Sequence, residues 1–203
     1  MSQKDRMLHG LPYKSNEDGL FEERQRAKVL CHKINTCEPL DVKKRDEYLR
    51  ELLGSTTENF YVEPPFRCDY GYNITIGDNF YSNYNLIVLD CAKVTVGKNA
   101  MFGPNVCITT AGHPIHPLSR TKAYYEYAFP VTIGDNVWLG ANVVINPGVT
   151  IGDNCVIGSG SVVTKDIPKN TVAVGNPCKV LREITEQDRD YYFKDKKFDI
   201  EDY

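Results

Sequence analysis

From Val131 onward a large aliphatic residue returns at every sixth position: Ile133, Leu139, Ile145, Ile151, Ile157 and Val163. Two residues ahead of each runs a second register, Val131, Val137, Val143, Val149, Cys155 and Ser161. The same registers occur earlier as Ile74 and Ile76, Phe80 and Ser82, Leu86 and Val88. After a two-residue slip they resume as Val94 and Val96, Ala100 and Phe102, Val106 and Ile108. A helix needs apolar spacings of three and four, and a two-sided strand a spacing of two throughout. A period of six therefore predicts short strands joined by tight corners and coiled into a solenoid, each coil burying its apolar residues against its neighbours. The residue after each aliphatic one is Gly134, Gly140, Asn146, Gly152, Gly158 or Thr164, with Gly77, Gly97 and Gly103 in the earlier coils. Because Gly and Asn tolerate positive φ, this position reads as the corner.

The run breaks once, between Ile108 and Val131. The insertion, residues 109–130, carries Gly112, His113, Pro114, His116 and Pro117 followed by Tyr124, Tyr125, Tyr127 and Phe129. An interruption of that length in a regular solenoid marks function or disorder, and its aromatic content speaks against disorder. Residues 1–60 read as a helical cap. Leu20 to Asn35 is spaced for one helix, Asp41 is the N-cap of a second, and Gly54 ends it. Such a pair would cover the open end of the solenoid, where exposed strand edges invite pairing. Glu63-Pro64-Pro65 reads as an extended connector into a β-helix domain over 61–184. Thr171 to Ile184 reads as an exit strand or loop, followed by a C-terminal tail, 185–203, that from Asp188 to Tyr203 reads as helical in part or mobile.

Composition narrows the function. A formal net charge of −3 argues against general nucleic-acid binding. No stretch approaches the roughly 18 apolar residues of a membrane helix, and Met1 to Gly10 lacks the apolar core of a secretory signal, so no membrane partner and a cytoplasmic location are expected. The seven cysteines form no Cys-x-x-Cys pair and read as buried reduced thiols, with no metal site. No Gly-rich dinucleotide or phosphate-loop pattern is present. Of four histidines, His9 and His32 lie on polar or helical surroundings. His113 sits where the solenoid opens, between Gly112 and Pro114, and an imidazole there needs little tuning to serve as a base near neutral pH. His116 is read as a surface or supporting residue.

The hexads, the Gly112-His113-Pro114-Ile115-His116 loop and the run from Asn146 to Asn154 resemble the maltose and galactoside O-acetyltransferases. The likeness extends over nearly the whole chain. Val62 to Gly71 looks like the maltose branch, the Gly112 to His116 loop more like the galactoside branch. The resemblance implies a mainly β fold, a left-handed parallel β-helix with three faces per turn, and a homotrimer with active sites between subunits. It implies transfer of an acetyl group from acetyl-CoA to a hydroxyl of a small sugar, without a metal. Residue by residue, it makes His113 the general base and Asn83 a partner lining the site, with Asp69, Glu126 and Arg24 on the acceptor side. Trp138, Ala141 and Ser159 match the pantetheine channel, with the Ala141 N–H as candidate oxyanion donor. Thr164, Lys165, Lys179 and Arg182 match the end that holds the nucleotide phosphates. Ser15 and Cys91 stand where the galactoside branch has aspartates, which favours a maltose- or glucose-type acceptor. Direct transfer is implied, since no activated Ser or Cys nucleophile stands out.

Three other readings compete. The same fold could acetylate a different acceptor, such as a xenobiotic or serine. A γ-type carbonic anhydrase shares the solenoid but needs three histidine ligands, and only His113 and His116 lie near the expected site. A non-catalytic scaffold would need neither a base in the insertion nor a basic end near residues 165–182.

Overall fold

Eighteen residues separate Ile133 from Ile151, and the two are parallel partners, as are Leu139 with Ile157 and Ile145 with Val163. Three hexads therefore make one coil, and each hexad supplies a short strand to one of three parallel sheets. The computed structural model, which describes residues 1–200, arranges these sheets as faces of seven, four and five strands. The two-residue slip lengthens one coil without breaking register, so that Ile76 still pairs with Val96 and Val96 with Ile133.

Both apolar registers point inward. Val131, Val137, Val143, Leu139, Ile145, Ile151 and Ile157 are at most 1% exposed. Burying such a side chain is worth ~1.5–3 kcal/mol. In the earlier coils aromatics join the core: Phe80 and Phe102 meet edge to face at 5.0 Å between centroids.

The corners differ from the sequence expectation. Positive φ falls not on the glycine after the aliphatic residue but two positions later, at Asn79, Asn99, Asn136 and Asn154, and at Asn85, Asn105 and Asn142 on a second corner. The glycines answer a steric demand instead. A Cβ on Gly77 would lie 2.6 Å from the backbone of Gly97, and one on Gly97 2.6 Å from that of Gly134. Successive coils approach too closely at this edge for any side chain. The left-handed asparagines add a ladder of their own: the Asn79 amide donates to Asn99 at 3.0 Å, Asn99 to Asn136 at 2.8 Å, Asn136 to Asn154 at 2.8 Å and Asn154 to Asn170 at 2.7 Å.

The chain begins with α1 (Gln3–Leu8), a helix the periodicity did not reveal, held by a capping box between Ser2 and Asp5. Helix α2 (Leu20–Asn35) and helix α3 (Val42–Leu52) follow, α3 capped by the Asp41 carboxylate on the Lys44 N–H. Leu49 and Leu52 are buried as expected, but Val42 is not; Arg45 takes the buried place on that face and lies over the Tyr61 ring. Asn35 closes the first coil's open edge. Its Nδ2 donates to the Phe66 carbonyl at 2.9 Å and its Oδ1 accepts from the Phe66 N–H at 2.8 Å, replacing a missing strand.

The insertion is a hairpin: Ala111–Gly112 pairs antiparallel with Tyr127–Ala128, and α4 (Pro117–Thr121) lies between, capped by His116 accepting from the Leu118 N–H. At the far end Thr171–Val174 turns back antiparallel onto Lys179–Glu183. The tail then forms α5 (Gln187–Asp190) and a small hairpin, Tyr191–Phe193 with Lys196–Lys197. Its last three residues, which the tail expectation included, lie outside the described residues. All seven cysteines are free; five are buried, while Cys37 and Cys107 are only partly so. No helix among the described residues is long and apolar enough to cross a membrane.

Candidate active site

A second, smaller apolar cluster joins three parts of the chain: Met7, Tyr13 and Leu20 from the N-terminal segment, Tyr70, Cys91 and Ala92 from the early coils, and Ala128 from the insertion. Polar groups ring this seam. Tyr13 exchanges backbone hydrogen bonds with Glu126, its N–H donating at 3.0 Å and its carbonyl accepting at 2.9 Å. The Glu126 carboxylate accepts from the Tyr13 phenol at 2.9 Å and the Ser15 hydroxyl at 2.7 Å. Gly112 pairs with Tyr127, so His113 and Glu126 are the next residues along the two arms of the hairpin. A Cβ on Gly112 would fall 2.6 Å from the Tyr127 hydroxyl, so the ring of its hairpin partner would have to shift to admit one. His113 is exposed, and its imidazole takes no hydrogen bond among the described residues.

Arg24 reaches the same seam from α2, donating to the Ser15 carbonyl at 2.6 Å, the Tyr70 hydroxyl at 2.8 Å and Asn16 Oδ1 at 2.7 Å. Three of the guanidinium's fixed donors thus organise protein, and the fork orients the loop as much as it faces a ligand. Asp69 is half-buried, and its carboxylate accepts from the Cys91 thiol at 3.5 Å. Burial raises the Asp69 carboxyl above its ordinary proton affinity, although the Cys91 hydrogen bond opposes this. Beneath it lies Asp90, fully buried. Its carboxylate accepts the backbone N–H groups of Asp69 at 3.1 Å, Tyr70 at 2.8 Å and Asn73 at 3.3 Å. Burial lifts Asp90 to about 7 against the pull of those donors.

Asn83 lies at a corner of the solenoid, half-buried, its Oδ1 accepting from the Tyr84 N–H at 2.7 Å. That contact is structural; its Nδ2 makes no hydrogen bond among the described residues, and no hydrogen bond joins Asn83 to His113 within the chain.

On the seven-stranded face Trp138 lies between Met101 and Val156 and is 52% exposed. The row continues through Tyr81 to Tyr61, whose rings stack at 6.2 Å. Farther along, the Ala141 N–H donates to Ser159 Oγ at 3.1 Å. As an oxyanion donor it would first have to lose that hydroxyl. Thr164, Lys165 and Lys179 are exposed. Arg182, which the resemblance matches to the phosphate-holding end, is engaged by Asp188 through two bonds of 2.7 Å.

Tyr13 from the N-terminal segment and Tyr70 from the early coils escaped the sequence reading as site residues, as did the anchoring role of Asp90 beneath the loop. Their side chains belong to no period, and only contact between remote segments reveals them. Among the described residues no group of three or more His, Cys, Asp or Glu side chains could hold a metal ion.

Residues 6–57 match the family model described as the maltose acetyltransferase hexapeptide capping motif, and residues 130–165 match that of the bacterial transferase hexapeptide repeat. The galactoside O-acetyltransferase of Escherichia coli is 49% identical over 197 residues, covering 97% of each chain. The crystal structure of a maltose O-acetyltransferase from Clostridium difficile superposes with a TM-score of 0.90 at 52% identity, covering 92% of this chain and 99% of that one. A galactoside acetyltransferase in complex with coenzyme A gives 0.95 at 49% identity, covering 98% and 100%. With the capping motif on α1 to α3, the hexads on the solenoid and relatives aligned from end to end, the chain belongs to the maltose and galactoside O-acetyltransferase family of hexapeptide-repeat acetyltransferases.

Proposed function

We propose that the protein transfers the acetyl group of acetyl-CoA directly to a hydroxyl of a small sugar of the maltose, glucose or galactoside type, with His113 as general base. The observation that carries this reading is the seam. Its Glu126, Arg24 and Asp69 side chains act on one another and offer both acceptors and donors to a polyhydroxylated ligand, and the exposed His113 follows Gly112, the hairpin partner of the residue next to Glu126. A sugar hydroxyl is a weak nucleophile near neutral pH. As its oxygen bonds to the thioester carbonyl carbon, its proton passes to His113; the oxyanion collapses, the carbon–sulfur bond breaks, and the proton leaves with the coenzyme A thiol. Ala141 N–H would receive the oxyanion once the Ser159 hydroxyl turns away. Asn83 would contribute its free Nδ2.

Acetyl-CoA is the co-substrate. Its pantetheine arm would run beside Trp138 and Ser159, with Thr164, Lys165 and Lys179 near the nucleotide phosphates and Arg182 joining only if Asp188 releases it. A homotrimer with active sites between subunits agrees with the outward rows of the faces. The four-stranded face presents Thr75, Thr95, Thr132 and Thr150, whereas the five-stranded face presents Ile87, Cys107, Val144 and Val162 and the seven-stranded face Tyr61, Tyr81, Met101 and Trp138. Two apolar faces on one solenoid suit burial against other copies. Seven unpaired thiols suit a reducing, cytoplasmic setting.

Thiol release from acetyl-CoA, followed with maltose, glucose, a galactoside and chloramphenicol in turn, tests this reading. Sugar-dependent release supports it; release with chloramphenicol alone, or with no acceptor, sinks the sugar assignment.

A further inference from the structure

Two thiols that the transfer reaction does not use face each other beneath the cap. Cys31, on the inner face of α2, has its sulfur 3.8 Å from that of Cys68, at the end of the first coil's strand Phe66–Cys68. They are 37 residues apart in the chain, and both are buried, 6% and 8% exposed. Burial does not seal them. Both line a cleft of about 590 Å³ whose wall also carries Lys28, His32 and Arg67 against the single carboxylate of Asp69, so a small polar molecule can reach the sulfurs. The two are not equivalent. Their mutual contact holds Cys31 below the ordinary thiol range, with the Arg67 charge assisting, and pushes Cys68 up. Cys31 is therefore the readier thiolate of the two.

We propose that Cys31 and Cys68 are an oxidative modification site, a dithiol that a peroxide converts into a disulfide tying the helical cap to the first coil. The Cys31 thiolate attacks a peroxide oxygen, the O–O bond breaks, and Cys31 becomes a sulfenic acid while hydroxide leaves and is protonated. The Cys68 sulfur then attacks Cys31, the S–O bond breaks, and water departs with the Cys68 proton. Two thiols are oxidised by two electrons and one peroxide is reduced to two waters. Closing the bond requires the sulfurs to move from 3.8 Å to ~2.05 Å.

That movement acts on the seam through the chain. Cys68 is followed directly by Asp69, whose backbone N–H is anchored on Asp90 and whose carboxylate meets Cys91. Drawing Cys68 toward α2 pulls on this loop while leaving Trp138 and Ala141 untouched. Resting on the sugar-acceptor reading above, oxidation therefore raises the KM for the acceptor and leaves acetyl-CoA affinity unchanged; the cross-link itself does not depend on that reading.

The test treats the native full-length protein with hydrogen peroxide, alkylates free thiols after unfolding, and maps the peptides by mass. The expected result is a Cys31–Cys68 cross-linked peptide lighter by two hydrogens, reversed by dithiothreitol and absent from Cys31→Ser. In Cys68→Ser a sulfenic acid on Cys31 should instead be trapped by dimedone. Oxidation of the more exposed Cys37 or Cys107, with Cys31 and Cys68 still alkylatable, would overturn the proposal. A cross-link that leaves the acceptor KM of the oxidised enzyme within twofold would overturn its coupling to Asp69. If no sugar is acetylated at all, the peptide map still decides the chemistry, so the two readings fail separately.

Discussion

Between Val131 and Val163 each coil repeats the last, and any residue can be placed by counting sixes. In the seam the opposite holds: Tyr13 and Glu126, hydrogen-bonded through backbone and side chain alike, lie 113 residues apart. The solenoid is held by many equivalent apolar contacts and by stacked corner amides, the seam by few, dissimilar polar ones. A solenoid of identical coils offers no unique place for chemistry. The break in period creates one, because the insertion must find partners outside the repeat and finds them in the N-terminal segment.

The largest expected effect on this contrast comes from the coil edge. Gly97→Ala places a Cβ against the backbone of Gly134 and the carboxylate of Asp135, and should destabilise the fold by ~3 kcal/mol through overpacking. The lowered urea midpoint should appear with every probe, since coils share one core. A variant of wild-type stability would show that the glycine column is incidental.

Next is Asp90. Its folded proton affinity, about 7, lies above the ordinary carboxylate value of 3.8. Between those values the folded state binds more protons than the unfolded one, so its contribution to stability falls as pH rises from about 4 to about 7 and stays low above. Asp90→Asn removes the titration. Relative to wild type, the variant should therefore gain on the order of 2 kcal/mol between pH 5 and pH 8, read from urea midpoints at the two pH values. An unchanged difference would show that Asp90 stays charged throughout.

Smallest is Trp138→Ala, on the smooth outer face of the repeat. It should weaken acetyl-CoA binding about tenfold, or ~1.4 kcal/mol, with kcat at saturation and thermal stability unchanged. A fall in kcat of the same size would place Trp138 in the transfer step rather than in binding.

The legibility of the sequence follows the same division. The inward registers, the α2 span, the Asp41 cap and the position of the insertion were all readable, because each rests on local periodicity or capping chemistry. The corner was misplaced by two residues: Gly and Asn both permit positive φ, and only coil-to-coil distance separates a glycine needed for close approach, as at Gly97, from an asparagine needed for its left-handed turn, as at Asn99. Of the candidate site, His113, Asp69, Glu126 and Arg24 could be named because a family motif carries them, but not what they touch. That Arg24 is occupied by Ser15, Asn16 and Tyr70, that Arg182 is held by Asp188, and that Asp90 anchors the Asp69 loop all depend on contacts between segments with no common period.

Under the proposed function the solenoid holds acetyl-CoA and the seam performs the transfer. Calorimetric titration of His113→Ala with acetyl-CoA, run beside its turnover with the best sugar acceptor, tests that division directly. The expected result is a dissociation constant within twofold of wild type and a kcat lowered at least ~100-fold. Turnover retained in the variant, or acetyl-CoA affinity lost in step with it, would contradict the claim that His113 acts in the chemistry and not in holding the donor.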